Sequence, residues 1–407
     1  MMRSLYSAVG GLRNHQTRMD VIGNNIANVN TTGYKGGRVN FQDILNQNIQ
    51  GASGSQGNRG GTNPMQVGLG MASASIDTLF TNGSIQSTGV GTDLAISDAG
   101  FFILGEGNNR VYSRAGNFDF DNTGNYVSTS SGMKVMGWNA TAGVVNSAGD
   151  VEAIKITKGQ IMPASATTSV DYTKNLSADA ATGTVVTMPL TVYDSLGNAH
   201  KVTTTFTKNA TANTWDFARV TPTDTGFAVT GGTGTVTFNT NGSYNATTVT
   251  NIAFSPTGAT AMSIAPDFTS LTQVAGTSTV AYEKTGYAAG TLDSVSLNKA
   301  GEVVGTFSNG QNQVLAQVAL AAFNNPGGLT KLGSNTYSVS ANSGEPQIGT
   351  AATGGRGSLT PGALEMSNVD LSQQFSDMIV TQRGFQSNSK IITVSDEMLE
   401  TLINMKR

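Results

Sequence analysis

The chain has 407 residues, enough for two or three domains, and it combines 50 glycines with only 12% charged residues. Its formal net charge of −3 excludes the broad basic surface that binding to nucleic-acid phosphates requires. The absence of cysteine excludes disulfides, thiolate metal sites and cysteine nucleophiles, and no apolar run approaches the about 18 residues that cross a bilayer.

The first thirty residues predict an amphipathic helix. Apolar side chains recur seven residues apart, with two more at offsets of three and four: Leu5, Leu12, Met19 and Ile26, with Val9 and Ile22. Such spacing gathers apolar side chains on one helical face. We expect the helix to end among the short polar residues 28–32, before Gly33.

The last forty residues carry a stronger periodic signal. The apolar residues at an unbroken spacing of seven are Leu371, Met378, Phe385, Ile392 and Leu399, supported by Phe375, Ile379, Leu402 and Met405. This pattern predicts a helix over about residues 369–403. The Ser367 hydroxyl or the Asn368 amide offers a helix cap, with Asp370 three positions after Ser367.

An apolar stripe of this length needs a partner, and two interpretations are open. The C-terminal helix packs on its own domain, or it pairs with the N-terminal helix as a coiled coil, because a spacing of seven keeps one seam facing a neighbouring helix. Pairing of the two terminal helices is favoured because no other segment predicts a helix. Residues 1–48 carry five basic and two acidic side chains and residues 364–407 carry six acidic and four basic ones, so the two ends attract modestly.

Between the two ends, short runs of alternating polarity predict β-strands separated by turns. The predicted strands are 93–96, 101–104, 111–113, 117–120, 126–128, 190–193, 202–206, 215–218 and the longer run 314–323. Turns are predicted at 121–124, 194–198 and 325–328. Strands this short predict antiparallel sandwiches or barrels. The Gly/Ser/Gln-rich residues 47–63 predict a link that is flexible or ordered only on assembly.

No motif predicts catalysis, a metal site or a cofactor. The run that starts at Asp121 resembles the beginning of a calcium loop, but its twelfth position is Ser130 rather than a bidentate Glu, and a hairpin turn is favoured. Asp194, Ser195 and His200 lie on one turn without a nucleophile-elbow motif, so a hydrolase triad is not expected. An enzyme of unknown class remains a distant alternative.

Two terminal signatures resemble those of the bacterial flagellar axial family, which comprises rod, hook and hook-associated proteins. One covers residues 20–35 and the other residues 367–388. The positions that carry the resemblance are Asn24, Asn25, Ala27, Asn28, Thr32, Gly33, Tyr34 and Lys35 at the first end and Gln382, Arg383 and Asn388 at the second. Interior blocks at 83–89, 93–102, 112–118 and 197–200 are also similar to this family.

Within this family the chain is most similar to the hook members. An extra β-rich stretch of about 140 residues, between Trp138 and Tyr282, separates them from rod members, which have one β region. The 47–63 link resembles the corresponding insert of distal rod subunits, so a distal rod subunit is the second candidate.

The resemblance implies a mixed α and β fold in which paired terminal helices form the inner wall of a tube and two β-rich domains lie further out. The implied domains are a terminal helical domain (1–30 and 366–407), a linking segment (31–70 and 355–365), an inner β domain (71–145 and 283–354) and an outer β domain (146–282). The implied function is a structural subunit that polymerises into a curved, flexible tube and transmits motor torque to the filament.

The resemblance also implies partners and a location. The partners are other copies of the chain, the flagellar rod, the hook cap, the hook–filament junction proteins and the type III export apparatus. The location is the extracellular hook, reached without a cleaved secretory signal. The residues predicted to pack between subunits are the apolar ones of both stripes: Leu5, Val9, Leu12, Met19, Ile22, Ile26, Leu371, Phe375, Met378, Phe385, Ile392, Leu399 and Leu402.

Overall fold

The computed structural model describes residues 2–55, 57, 59–106, 109–220 and 227–405. The chain divides into two compact units. The first comprises Met1–Thr157, Ser296–Val304 and Val314–Arg407, and the second comprises Lys158–Val295 and Gly305–Gln313.

Both helices belong to the first unit: α1 spans Met2–Ala27 and α2 spans Leu371–Met405. The predicted terminal helices are therefore present. The cap of α2 differs from the prediction, because the Asp370 carboxylate accepts hydrogen bonds from the N–H groups of Ser372 and Gln373, at 2.8 and 3.2 Å. The Ser367 hydroxyl accepts only from the N–H of Val369, ahead of the helix. A carboxylate at the N-cap is also favoured by the helix dipole.

The strands of the first unit before the chain enters the second are β1 (Gly37–Asp43), β2 (Asn46–Gln50), β3 (Met65–Gly68), β4 (Met71–Thr78), β5 (Ile85–Ser87), β6 (Leu94–Ser97), β7 (Phe101–Glu106), β8 (Asn109–Ser113), β9 (Phe118–Phe120), β10 (Tyr126–Ser128), β11 (Lys134–Thr141), β12 (Val144–Val145) and β13 (Glu152–Ala153). The second unit contains β14 (Ile161–Met162), β15 (Ser169–Ser177), β16 (Val185–Tyr193), β17 (Ala199–Lys208), β18 (Thr214–Val220), β19 (Phe227–Gly231), β20 (Thr233–Phe238), β21 (Tyr244–Thr247), β22 (Ile252–Pro256), β23 (Met262–Asp267), β24 (Leu271–Val274) and β25 (Ala281–Lys284).

Three strands carry the chain between the units: β26 (Gly290–Leu297), β27 (Glu302–Phe307) and β28 (Asn312–Val318). The chain then continues in the first unit with β29 (Leu320–Ala322), a short 3₁₀ turn (Pro326–Gly328), β30 (Thr330–Gly333), β31 (Thr336–Ser338), β32 (Gln347–Gly349), β33 (Ser358–Pro361) and β34 (Ala363–Glu365). The long run predicted at 314–323 is thus divided at Ala319. Its first part pairs with β11 and its second with β7 and β32, so one segment pairs with three other strands.

The main sheet of the first unit has antiparallel neighbours in the order β11-β7-β8-β31-β30. It covers an aromatic core, in which the rings of Phe101, Tyr112, Phe323 and Tyr337 meet edge to face, with Trp138 beside them. Two short strand pairs join the last strands of the chain to earlier ones: β33 pairs with β6, and β34 pairs with β5. Because β34 lies just before α2, the second pair fixes where α2 begins.

The second unit has a five-stranded sheet, β16-β17-β18-β20-β21, and a six-stranded sheet, β19-β22-β23-β15-β24 with β25 beside β15. Alternate side chains of these strands, together with Phe268 just after β23, form one core that includes Tyr172, Phe206, Trp215 and Phe217. The predicted antiparallel pairing is present in the other strand pairs of this unit, but β15 differs, since it pairs in parallel with both β23 and β24. The two partners are consecutive in the chain and run the same way along β15, and the long connection from β15 to β23 makes parallel pairing possible.

The predicted link at 47–63 is also different from the expectation. Its two flanks pair as strands β2 and β3, and the hairpin continues to a bridge between Ser53 and Thr62, whose backbone groups exchange hydrogen bonds of 3.0 Å. The Gly/Ser composition suggested a coil, but cross-strand pairing of the flanks fixes the register of the segment. Residues 56 and 58 lie outside the described residues.

Candidate functional site at the terminal helices

The helices α1 and α2 lie against each other in antiparallel order along a contact that we call the polar seam. Four pairs define it: Asn25 with Gln374, Arg18 with Asp377, His15 with Gly384, and Gly11 with Asn388. As the residue number falls along α1 it rises along α2, which fixes the antiparallel direction. The buried residues Ala8 and Ile22 of α1, and Thr381 of α2, lie three or seven positions from these pairs on the same helix faces.

Two side-chain contacts and two glycines hold the polar seam together. The Asn25 amide donates to Gln374 Oε1 at 3.0 Å, and Arg18 forms an ion pair with Asp377 at 3.1 Å. A Cβ atom on Gly11 would lie 2.8 Å from Asn388 Nδ2, and one on Gly384 would lie 2.8 Å from His15 Nε2. Glycine is therefore what permits the close approach of the two helices at these points.

Many large apolar side chains of α2 remain exposed beside the polar seam. Large apolar side chains between 37% and 81% exposed occur along the whole helix; we call them the exposed α2 residues: Leu371, Phe375, Ile379, Val380, Phe385, Ile391, Val394, Met398, Leu402, Ile403 and Met405. The register pairs residue 11 with residue 388, so α2 extends beyond the start of α1. Its last residues consequently have no α1 residue opposite them.

The structure places the predicted packing residues at three levels of exposure. Those that are exposed are Leu371, Phe375, Phe385 and Leu402, and those that are half-buried are Leu5, Val9, Leu12, Met19, Ile26, Met378, Ile392 and Leu399. Ile22 is buried. The α2 residues of the polar seam are polar or small: Gln374, Asp377, Gly384 and Asn388. Sequence analysis missed them because it followed the apolar side chains.

The first signature lies where α1 enters the β region, at a site that we call the arm junction. Asn25 receives hydrogen bonds from the Gly37 N–H and the Tyr34 hydroxyl and donates to the Gly37 carbonyl, at 2.8 to 3.2 Å. Gly33 has a φ of 69°, and a Cβ there would lie 2.5 Å from the backbone nitrogen of Ala115. Only glycine satisfies both the conformation and the space.

A buried ion network forms the centre of the arm junction. Lys35 Nζ lies 2.7 Å from Glu365 Oε1, and Arg114 Nη1 lies 3.1 Å from Glu365 Oε2. The Lys35 ammonium also donates to the Thr81 carbonyl, and the Gly83 N–H donates to the Glu365 carboxylate. Burial lowers the pKa of Lys35 and of Arg114, and the Glu365 carboxylate opposes that shift in both. One carboxylate thus compensates two buried cations.

The second helix is tied to the same place through Asn368. Its side-chain oxygen accepts from the Gly36 N–H at 2.9 Å, and its amide donates to the Leu79 carbonyl at 2.8 Å. The backbone N–H of Gly33 donates to the Glu365 carbonyl at 2.8 Å. The two chain ends therefore leave the β region from one set of bonds.

The remaining signature residues take different positions. Asn28 donates to the Asn24 carbonyl at the end of α1, and the Thr32 carbonyl accepts from Asn335. Ala27, Gln382 and Arg383 are exposed, and Asn388 belongs to the polar seam. The structure thus brings Asn25, Gly33, Tyr34 and Lys35 together at the arm junction and leaves Gln382 and Arg383 away from it. Glu365 and Arg114 were not singled out, since nothing in the sequence pairs them with Lys35.

The turns considered for chemistry are structural. The Asp121 carboxylate accepts from the N–H groups of Thr123 and Asn125 between β9 and β10, as predicted for a hairpin turn. Asp194 contacts His200 at 3.1 Å, whereas the Ser195 hydroxyl accepts from the Thr260 N–H. Among the described residues no three His, Asp or Glu side chains are grouped so as to hold a metal ion. Neither α1 nor α2, as far as the chain is described, is long and apolar enough to cross a membrane.

Comparison with known families assigns the two chain ends and the second unit. Residues 5–35 match the flagella basal body rod protein family, and residues 360–405 match the C-terminal family of flagellar basal body rod FlgEFG proteins. Residues 164–287 match the D2 domain of flagellar basal body protein FlaE. None of the three is a catalytic family. The class is therefore that of flagellar axial proteins, with helical ends and β-rich units between them.

Full-length relatives identify the member of the class. The flagellar hook protein FlgE of Treponema pallidum is 42% identical, with 100% of both chains covered, and that of Escherichia coli is 37% identical, with 98% of this chain and 99% of the relative covered. The chain belongs to the flagellar hook protein FlgE family. It is accordingly a structural subunit of the flagellar hook, a component of the motility organelle.

Two further similarities are more distant. The flagellar basal-body rod protein FlgG of Bacillus subtilis is 33% identical over the full length of both chains. The crystal structure of Helicobacter pylori flagellar hook protein FlgE2 has a TM-score of 0.52 at 13% identity, covering 69% of this chain and all of that one. At that identity the likeness supports the fold alone.

Proposed function

We propose that this subunit polymerises into a curved helical tube that acts as a flexible coupling and transmits motor torque to the filament. The observation that carries the proposal is the set of exposed α2 residues. A helix of 35 residues leaves large apolar side chains exposed along its length, while the polar seam holds it to α1 through polar or small residues. Contiguous exposed apolar surface marks interaction sites in soluble proteins.

The apolar residues of both helices would pack against adjacent copies and form the inner wall of the tube. In this arrangement α1 and α2 pair as a coiled coil. The antiparallel polar seam and the heptad spacing of the flanking apolar residues support such pairing. Contacts between unlike surfaces of identical copies are heterologous, and they produce an open helical polymer rather than a closed ring.

The β-rich parts would form the outer layers. We propose four parts: a helical domain (1–30 and 366–407), a linking segment (31–70 and 355–365), an inner β domain (71–145 and 283–354) and an outer β domain (146–282). The outer face of the β16–β18 sheet is polar, with Thr187, Thr203, Thr205 and Thr207 among its residues. Such a face carries few charged side chains that would hold neighbouring subunits at one fixed offset. It therefore suits contacts between subunits that lengthen and shorten as a curved tube rotates.

The proposed partners follow from this location. The base of the polymer would contact the flagellar rod. Its other end would contact the hook cap during growth and the hook–filament junction proteins once growth is complete. The subunit would reach the extracellular hook through the type III export apparatus, without inserting into the membrane. No catalytic role is proposed.

Electron microscopy of polymers grown from purified subunits tests the proposal. Curved tubes are expected from the full chain, and no tubes from chains that lack residues 1–30 or 369–407. Normal tubes from either truncated chain would refute the assignment of the helices to the inner wall. Straight tubes from the full chain would instead favour a distal rod subunit, the role that the full-length similarity to the rod protein FlgG supports.

A further inference from the structure

His15 lies on α1 where that helix meets both α2 and the β1–β4 pair. Its ring packs over Gly384 of α2, where a Cβ atom would lie 2.8 Å from both Cε1 and Nε2 of the imidazole. The same ring lies 6.0 Å from that of Phe41 of β1, in an edge-to-face arrangement. Next to it, the Asn14 amide donates to the Met71 carbonyl of β4 at 2.7 Å. The imidazole therefore joins α1 to α2 and β1 at one point.

The surroundings of His15 favour the neutral form of the ring. Its Nδ1 is buried and has no hydrogen-bond partner, so a proton on that nitrogen would have no acceptor. Both ring nitrogens carry a proton in the imidazolium, whereas the neutral ring can leave Nδ1 without one. Burial lowers the pKa of His15 from its ordinary value of 6.5, and the positive charge of Arg18 on the same helix lowers it further. Protonation therefore conflicts with this packing.

No acidic side chain of the surrounding elements, as far as the chain is described, forms an ion pair with His15. Asp377 of α2 is paired with Arg18, and Asp77 of β4 with Arg38 of β1. The other charged side chains described on these elements are exposed: Arg3, Arg13 and Asp20 on α1, Asp43 on β1, and Arg383, Lys390, Asp396, Glu397 and Glu400 on α2. An imidazolium at this place would thus lack a paired counter-charge.

We propose that His15 makes the pairing of the two helices, and with it assembly, sensitive to mild acid, because its protonation opens the contact with α2 and β1. This inference rests on the proposed function, in which the paired helices form the inner wall. The neutral ring is the form that packs, so subunits that are protonated at His15 would have to release that proton on assembly.

The sign and the size of the effect follow from proton linkage. A histidine whose pKa is lower in the paired state binds fewer protons there than in the unpaired chain. Pairing is therefore strongest above pH 6.5, the ordinary value, and weakens as the pH falls from 6.5 through the lowered pKa. One proton per subunit changes the concentration needed for polymerisation by at most about tenfold for each unit of pH.

Sedimentation of the full chain at two pH values measures this concentration. Between about pH 7.5 and about pH 5.5 it should rise by about threefold to tenfold. His15→Phe keeps a ring and His15→Gln keeps a polar side chain, and neither titrates, so each should remove most of the rise. The matched control is His200→Gln. His200 is the other of the chain's two histidines and contacts Asp194 in the second unit, so this variant should keep the full rise.

Proton release gives a second measurement that a purely structural role of His15 would not change. Potentiometric titration during polymerisation at about pH 6 should show up to about 0.8 proton released per subunit, the protonated fraction of an ordinary histidine at that pH. The release should be retained in His200→Gln and lost in the two His15 variants.

Each outcome decides the inference. Equal rises in the unsubstituted chain and the His15 variants overturn it, as does the absence of a rise or a rise that disappears with His200→Gln. If neither His15 variant polymerises, proton release by the unsubstituted chain and by His200→Gln decides, and no release overturns the inference. Failure of the unsubstituted chain to form tubes at about pH 7.5 would instead refute the proposed function. Helix content of the free chain then decides, since it should fall with acid in the unsubstituted chain and stay constant in His15→Gln.

Discussion

Lys35 and Glu365 lie 330 positions apart in the chain and form a buried ion pair, with Nζ and Oε1 separated by 2.7 Å and the side chains 0% and 1% exposed. Arg114 contacts the other oxygen of the same carboxylate. Removing one partner of a buried pair leaves an uncompensated charge, which is more destabilising than the intact pair is stabilising.

Glu365→Ala should therefore strongly destabilise the first unit. It leaves two buried cations without a counter-charge, and we expect the free energy of unfolding to fall by about 3–5 kcal/mol, measured by urea titration. Arg38→Ala is the control, since Arg38 and Asp77 form an ion pair 3.6 Å long with side chains 60% and 40% exposed. Its effect should stay below about 1 kcal/mol. Similar losses for both variants would contradict this account of the arm junction.

Gly33→Ala should destabilise the first unit more than Gly132→Ala does. Both glycines have a φ near 70°, so both substitutions impose the same left-handed strain of about 1–2 kcal/mol. At Gly33 the new Cβ would also lie 2.5 Å from the Ala115 backbone nitrogen, whereas at Gly132 nothing lies within 4 Å. Thermal unfolding should show a clearly larger fall for Gly33→Ala, and equal shifts would mean that the backbone yields at this contact.

Substitution of the exposed α2 residues should weaken polymerisation without weakening the folded subunit. Phe375→Ser and Ile379→Ser change side chains that are 51% and 52% exposed. If assembly buries them, each should raise the concentration needed for polymerisation by about tenfold or more, since such burial contributes about 1.5–3 kcal/mol. Sedimentation measures this concentration, and Gln382→Ser, at an exposed polar position of the same helix, is the control. Loss of monomer stability instead would assign these residues to the subunit's own packing.

Helix content should rise when the subunits polymerise. Isolated helices are marginal in water, and most of their stability comes from tertiary packing. With a polar seam between them, α1 and α2 should be largely disordered in the free chain and ordered in the polymer. Circular dichroism of both states measures the difference, and equal helix content would refute the expectation.

Acid should destabilise the second unit through Asp194. Burial alone would raise the pKa of this carboxyl, but hydrogen bonds from Asn198, His200 and two backbone N–H groups lower it to about 2, from an ordinary value of 3.8. A lowered pKa in the folded state contributes stability above about pH 4, and that stability is lost as the pH falls toward 2. Asp194→Asn keeps one acceptor oxygen but does not titrate, so unfolding curves of this variant should depend less on pH in that range. Identical pH profiles would exclude Asp194 as the source.

Part of the regular structure was predictable from the sequence, since both terminal helices and the strands named in advance are present, but most of the strands, such as β1 to β5, were not named. What the periodicity did not predict was which face of α2 meets α1. The contact uses Thr381, Gly384 and Asn388, whose small or polar side chains give no hydrophobic signal. The helix cap at Asp370 rather than Ser367, and the parallel partners of β15, depend on tertiary pairing that no local pattern encodes.

Only part of the arm junction could be predicted from the sequence. The signature drew attention to Asn25, Gly33, Tyr34 and Lys35, but sequence alone does not say that a lysine is buried. Glu365 lies on β34, and its approach to Lys35 depends on the pairing of that strand with β5. Contacts between residues so far apart in the chain require the complete fold.

The arm junction also determines how a mechanical pull would travel through the subunit. Both helices emerge beside the Glu365 carboxylate, and the bonds from Gly33, Gly36 and Asn368 lie on either side of it. Tension applied to either helix would therefore reach the same small group of bonds. A subunit anchored in this way would pass strain to its β-rich body before its two ends separated.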